Sequence, residues 1–210
     1  MRRKIETLIL DLGGVLIDVD YDGSARAFAE LGIGDFQELF SKAKQSDIFD
    51  RFETGDLDPA GFRKELRNTL KQDLSDGTID RCWNAMLGTI PPERIELVKE
   101  LRDRYTLLLL SNTNSIHVPA FLQIVLEQNG IAEFRELFDG TYFSCEMGMR
   151  KPDPAIFRHV LARHSAVPER SLFIDDSPQH VEGARRAGLK AEHLDLSKED
   201  IIALARRLDL

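Results

Sequence analysis

Four short stretches of this chain are apolar along their length, and each ends on a polar residue. They run from Thr7 to Asp11 (TLILD), Thr106 to Ser111 (TLLLLS), Gly140 to Ser144 (GTYFS) and Ser171 to Asp175 (SLFID). A continuous apolar run without polar alternation predicts a strand buried on both faces, the condition met in a parallel sheet covered by helices. A polar turn and then a helical period follow each run, and a last short strand is predicted from Lys190 to Leu194. Strands alternating with helices are βαβ units, so the chain is expected to be α/β, with a doubly wound, Rossmann-like parallel sheet.

Helix starts are legible from capping chemistry. Asp153-Pro154 and Ser177-Pro178 each set a capping side chain before a proline suited to the first helical position. After Asp153, residues Ile156, Phe157, Val160 and Leu161 recur at helical spacing. Pro91-Pro92 opens a helix with Ile95, Val98 and Leu101 on one face, and Ser197 to Asp200 reads as a capping box before Ile201, Leu204 and Leu208.

Between Asp22 and Gly88 the alternation stops. Amphipathic helical segments replace it, over Ser24–Leu31, Phe36–Lys44, Pro59–Leu70 and Ile79–Leu87, with turns at Gly32–Gly34, Gly55–Asp58 and Ser75–Gly77. An all-helical insert after the first strand predicts a cap domain of residues 19–88 over a core domain of residues 1–18 and 89–210. The cap would hinge at Asp18–Asp22 and Leu87–Pro91.

A formal charge of −8 argues against non-specific nucleic-acid binding, which needs a basic face. Cys82 and Cys145 stand far apart without a CxxC or Cys/His cluster, and are expected to be reduced thiols. The opening apolar run is too short for a secretion signal or a membrane span. The expected protein is cytoplasmic, free of membrane and nucleic acid, and a monomer or weak homodimer.

The residues that interrupt the apolar strands share one edge. Asp11, Ser111 and the pair Asp175-Asp176 stand at strand C-terminal ends, and Lys151 follows the third strand. In open α/β sheets that edge is where ligands bind. Taken singly, each has an ordinary alternative: an Asp as a turn cap, Ser111 as a satisfied hydroxyl, Lys151 as a surface lysine. Together, three carboxylates at one rim repel one another, and a hard divalent cation relieves that repulsion. Oxygen ligands without His or Cys favour Mg²⁺ over zinc. Such an ion and Lys151 would form a cationic pocket for a phosphoryl group, with Ser111 and the backbone amides after Asp11 donating to its oxygens and Asp11 attacking in line. Gly13 and Gly14 keep the backbone small where phosphate approaches.

DLGGVL at Asp11–Leu16, LLLLSNT at Leu107–Thr113, GMRKPDPAIF at Gly148–Phe157 and FIDDSPQHVEGA at Phe173–Ala184 together resemble the four motifs of the haloacid dehalogenase superfamily. Within it, the chain resembles the phosphatase branch with a helical cap, bacterial sugar-phosphate (α-D-glucose-1-phosphate) phosphatases among them. The resemblance implies a Mg²⁺-dependent phosphatase of a small phosphorylated metabolite, working through an aspartyl-phosphate. It makes Asp11 nucleophile and metal ligand, and gives Gly13 a metal-binding carbonyl. Asp176 becomes a direct ligand, with Asp175 a ligand or its support. Ser111, Asn112 and Gly14 become phosphate contacts, and Lys151 pairs with phosphate and Asp11.

Gly13 departs from the family pattern, in which a second Asp often serves as general acid and base. Such a shuttle is worth ~10²–10⁴ in rate. Three readings stay open: a good leaving group, a substitute carboxylate from Asp18, Asp20 or the cap, or phosphate binding with little or no turnover. A metal-free 2-haloacid dehalogenase is a further alternative, disfavoured by the two adjacent acids at Asp175-Asp176. His180 is read first as a helix cap or turn residue, with a catalytic role the lesser alternative, and Phe52–Gly55, Trp83, Arg51 and His117 as candidates to face the substrate.

Overall fold

The computed structural model describes residues 4–33 and 47–210; the expected helix over Phe36–Lys44 and the end of the Gly32–Gly34 turn lie outside them. Five parallel strands form one sheet: β1 (Thr7–Leu10), β2 (Thr106–Ser111), β3 (Gly140–Phe143), β4 (Ser171–Asp175) and β5 (Lys190–His193), in the order β3-β2-β1-β4-β5. The order reverses beside β1, which pairs with both β2 and β4.

Side chains of successive strand residues go to opposite faces, and helices cover both. Leu8, Leu10, Leu107, Leu109, Leu172 and Ile174 pack with Ile95, Val98, Phe121, Val125, Ile201 and Leu204. Ile9, Leu108, Leu110 and Phe173 pack with Ile156, Phe157, Val160, Leu161, Val181 and Ala184. The sheet is thus doubly wound, as its unbroken apolar strands require.

Among the described residues the α-helices are, in chain order, α1 (Gly23–Ala29), α2 (Ile48–Glu53), α3 (Pro59–Leu70), α4 (Asp76–Asn84), α5 (Pro92–Arg102), α6 (His117–Asn129), α7 (Ser144–Met147), α8 (Pro154–Arg163), α9 (Pro178–Arg186) and α10 (Ile201–Leu208). Among the described residues none is long and apolar enough to cross a membrane. Helices α1 to α4 form the inserted cap, with its own cluster of Phe28, Ile48, Phe52, Phe62, Leu66, Ile79 and Trp83. Helix α2 was not expected, because its six residues are too few to show a helical period.

Three expected turn and cap assignments are corrected. Ser75 begins a helix by accepting the Thr78 N–H, so Asp76 and Gly77 belong to α4. The cap of α10 is Asp200, which accepts the Ala203 N–H, while Ser197 hydrogen-bonds to Asp195. Ser177 precedes α9 without capping it; its N–H instead donates to Asp175 Oδ1. A strand-end carboxylate outcompetes water for that amide, drawing the turn toward the sheet edge.

The cap joins the core through two antiparallel crossings. Asp18 N–H donates to the Thr89 carbonyl, Gly88 N–H to Asp18 and Asp20 N–H to Met86, around a Val19–Leu87 bridge. Helix α9 is locked to the loop carrying Lys151 by Gly183, where a Cβ would stand 2.3 Å from the Pro152 carbonyl oxygen. Gly183→Ala would gain about 0.5–1 kcal/mol in helix propensity, but overpacking against fixed backbone costs about 1–3 kcal/mol. Net destabilisation is therefore expected, read as a lower urea midpoint; an unchanged or higher midpoint would contradict the close approach.

Candidate active site

Register places the first two acids side by side. Leu10 pairs with Ile174, and the Asp11 N–H donates to the Ile174 carbonyl, so Asp11 and Asp175 leave adjacent strands at one level. Both are buried, at 6% and 0% exposure. Between them lies Lys151, with its Nζ 2.8 Å from Asp11 Oδ1, 2.6 Å from Asp175 Oδ2 and 3.0 Å from the Leu110 carbonyl. Its three protons thus have three acceptors. The surface-lysine alternative fails, since Lys151 has no exposure at all.

Asn112 fixes the lysine by its backbone. The Lys151 N–H donates to Asn112 Oδ1 at 2.9 Å, and Asn112 Nδ2 donates to the Lys151 carbonyl at 2.9 Å. The clamp takes Oδ1 and one of the two Nδ2 protons, and the second Nδ2 proton lies outside it on a residue that lines the cavity. Ser111 is buried at the end of β2 and lines the cavity, with only a long 3.4 Å contact to the Asn112 carbonyl.

The cavity, about 650 Å³, is walled by the core residues Asp11, Gly13, Ser111 and Asp176 and by the cap residues Phe49, Glu53 and Trp83. Among the other candidates, Phe52 is fully buried in the cap cluster, stacked on Phe62. Arg51 pairs with Glu65. His117 lines the cavity, but burial pulls its pKa down to about 4, leaving it neutral. Its Nε2–H donates to the Trp83 carbonyl and its Nδ1 accepts from Asn114, so it is no anion site. Trp83 belongs to the cap core and to the cavity wall at once.

The N–H of Gly14, expected to contact phosphate, donates to the Ile17 carbonyl. Glycine is needed there for another reason. Its φ is +70°, and a Cβ would stand 2.3 Å from Asp176 Oδ2. The same turn sends the Leu16 and Ile17 N–H groups to the Leu12 carbonyl, and none of these bonds takes the Gly13 carbonyl.

His180 is the residue sequence reasoning misplaced. Its Nδ1 lies 3.1 and 3.0 Å from the two Asp175 oxygens, and Asp11, Asp175 and His180 offer ligand atoms within 4.8 Å of one another. Its position in the first turn of α9, five residues after Asp175, was the available signal. Both inner acids are already served, however. Lys151 holds Asp11 and Asp175, and His180 adds to Asp175, so a cation there would compete with an ammonium. Asp176 lines the cavity further out and accepts from the Tyr21 hydroxyl at 3.1 Å.

The electrostatics divide accordingly. Burial alone would raise Asp175, but Lys151 and His180 outweigh it and hold the carboxyl well below the usual range. Burial and then the Asp175 charge push Asp11 well above that range, with Lys151 opposing. Burial and Asp175 also raise Asp176. Burial would lower Lys151, yet Asp11 and Asp175 keep it raised and charged. Three carboxylates thus face one ammonium, and the two left under-neutralised, Asp11 and Asp176, are the two that line the cavity. Oxygen donors with unmatched negative charge fit a hard divalent cation such as Mg²⁺.

The chain matches the haloacid dehalogenase-like hydrolase family over residues 5–188, and it belongs to that family. It is 27% identical over 186 residues to a D-ribitol-5-phosphate phosphatase of Bacteroides thetaiotaomicron, covering 89% of this chain and 90% of that one. A crystal structure of a HAD family enzyme from the same organism, in complex with magnesium and inorganic phosphate, superposes with a TM-score of 0.84. It is 35% identical, covering 95% of this chain and 98% of that one. A HAD-like family hydrolase from Porphyromonas gingivalis gives a TM-score of 0.83 at 32% identity, covering 98% of each chain.

Removing one partner from a buried ion pair costs about 3–5 kcal/mol, so Lys151→Met should lose about that much stability in urea without added metal. The sign with pH follows. In the variant the two buried carboxylates have folded pKa values raised above their unfolded ones, so stability returns as pH falls and they protonate. The deficit should shrink from pH 7 toward pH 4; a deficit constant with pH would show that Lys151 does not neutralise the pair.

Proposed function

We propose that this chain is a Mg²⁺-dependent phosphatase of a small phosphorylated metabolite, with sugar and polyol phosphates the first class to test. The observation that carries the reading is the buried Lys151 ammonium shared by Asp11 and Asp175 beside a cavity. It holds a carboxylate in place with one oxygen, Oδ1, taken by Lys151 and by the Leu12 N–H at 2.7 Å, and the other oxygen outside those contacts. The phosphatase relative and the magnesium and phosphate in the related crystal structure support the same chemistry.

In this reading Asp11, Asp176 and the Gly13 carbonyl hold the metal, and Asp175 serves as the partner of Lys151. When bound, Mg²⁺ neutralises phosphoryl oxygens and lowers the pKa values of Asp11 and Asp176. The Asp11 carboxylate attacks phosphorus to give an aspartyl-phosphate, which water then hydrolyses. The Ser111 hydroxyl and the Asn112 N–H donate to the phosphoryl oxygens. The cap of residues 19–88, hinged at Asp18–Asp22 and Leu87–Pro91, admits substrate and excludes water. A metal-free dehalogenase would leave the charge on Asp176 unanswered, which counts against that alternative.

With Mg²⁺, the purified protein should release phosphate from members of a panel spanning polyol, sugar, glycosyl and acyl phosphates, and Asp11→Asn should abolish that release. No release from any of them would overturn the phosphatase reading. Chelator-resistant halide release from 2-haloacids would replace it with the dehalogenase one.

A further inference from the structure

One half-buried acid of the cavity is unused by the chemistry above. Glu53 ends α2, lines the same cavity as Asp11, Gly13, Ser111 and Asp176, and keeps its Oε2 out of solvent without a hydrogen bond among the described residues. Arg150 Nη2 is 2.9 Å from that oxygen but out of line for hydrogen bonding, while Arg150 Nη1 bonds to Asp50. Burial pushes the Glu53 carboxyl up, and Asp50 adds to the rise; Arg150 and Lys151 oppose without reversing it. Cys145 on the facing α7 is neutral, its thiol pushed up to about 11 by burial. On the neighbouring α3, Glu65 is paired with Arg51.

The other acids near the cavity are bonded to other groups or, in Asp22, open to solvent. Asp176 answers Tyr21, whose own pKa is raised above that of an ordinary phenol by burial and the nearby acids, making it a poor proton donor. His180 is bonded to Asp175, and both nitrogens of His117 are spent. Asp22 is exposed. Of the substitutes suggested by the sequence, Asp18 is held by Thr89 and Arg94, and Asp20 by Arg26, which keeps its carboxyl low.

We propose that Glu53 is the catalytic general acid and base of this enzyme, supplying from the cap the proton transfer that Gly13 cannot. The proposal rests on the phosphatase reading. As the bond from Asp11 oxygen to phosphorus forms, the bond from phosphorus to the leaving oxygen breaks, and the Glu53 proton ends on that oxygen to release an alcohol. Then the Glu53 carboxylate takes a proton from water while the water oxygen bonds to phosphorus. The bond to Asp11 breaks, inorganic phosphate leaves, and both carboxyl groups return to their starting state. Water is the only co-reactant. Because α2 belongs to the cap, chemistry with a poor leaving group would depend on the cap being seated.

The test compares leaving groups in Glu53→Gln. Glycerol phosphate, whose alkoxide needs a proton, should lose about 10²–10⁴-fold in turnover, the usual worth of a general acid. With p-nitrophenyl phosphate, whose phenolate needs none, the first burst of nitrophenolate should stay near the wild-type rate. Steady-state turnover should then fall and phosphoenzyme accumulate, because the base for the second step is missing. Glu53→Asp, which keeps the acid, should restore part of the glycerol phosphate activity, and thermal melting checks that each variant is folded. A merely structural link to Arg150 would slow burst and turnover alike for both substrates; that result, or an unimpaired variant, overturns the role of Glu53 while leaving the phosphatase reading intact. Wild-type protein that cleaves neither these esters nor any member of the panel overturns both.

Discussion

The Lys151 ammonium, buried completely between the Asp11 and Asp175 carboxylates, is the contact on which the rest of the site depends. Burying a charge costs several kcal/mol unless partners with good geometry surround it, and here each proton of the ammonium has an acceptor. The fold supplies those acceptors in a definite way. Parallel pairing of β1 with β4 brings the two carboxylates to one level, β2 offers the Leu110 carbonyl, and the Asn112 side chain clamps the lysine's backbone. Helix α9 closes the arrangement, with His180 on Asp175 and Gly183 against Pro152.

The arrangement is stable but not neutral. One ammonium serves two acids, and it serves Asp175 better, so Asp11 and Asp176 carry the unmet charge toward the cavity. A site that leaves charge unmatched on the residues facing its ligand is prepared for a cation and an electrophile rather than for its own stability. The glycine turn after Asp11 serves the same end: Gly14 makes room for the Asp176 carboxylate, and Gly13 has a carbonyl outside the turn's own hydrogen bonds.

Much of this was legible in the sequence because strand burial and strand ends leave strong marks. Unbroken apolar runs located β1, β2, β3 and β4, and the polar residues closing them located Asp11, Ser111 and Asp175. What was not legible depends on side-chain direction across elements. His180 looked like a turn residue because its spacing from Asp175, the one available mark, does not by itself fix which way the ring faces. The Gly14 amide looked like a phosphate contact, yet it donates to the Ile17 carbonyl, and nothing in the sequence reveals that the Asn112 side chain clamps the Lys151 backbone. Helix α2 was too short for its period to register, and with it went the placement of Glu53 near Arg150. The helix after Ser177 begins at Pro178 as expected, although the Ser177 side chain makes no capping bond; the start expected at Ser197 lies instead at Asp200, whose carboxylate caps α10.

The account stands on Asp11 becoming the phosphoryl acceptor because Lys151 holds it in place. Quenching turnover with borohydride and mapping the reduced peptides tests this directly, since an acyl phosphate on an aspartate is reduced to homoserine. The account predicts homoserine at position 11 and at no other acid. Reduction at Asp175 or Asp176 instead, or phosphate release without any trapped residue, would contradict it.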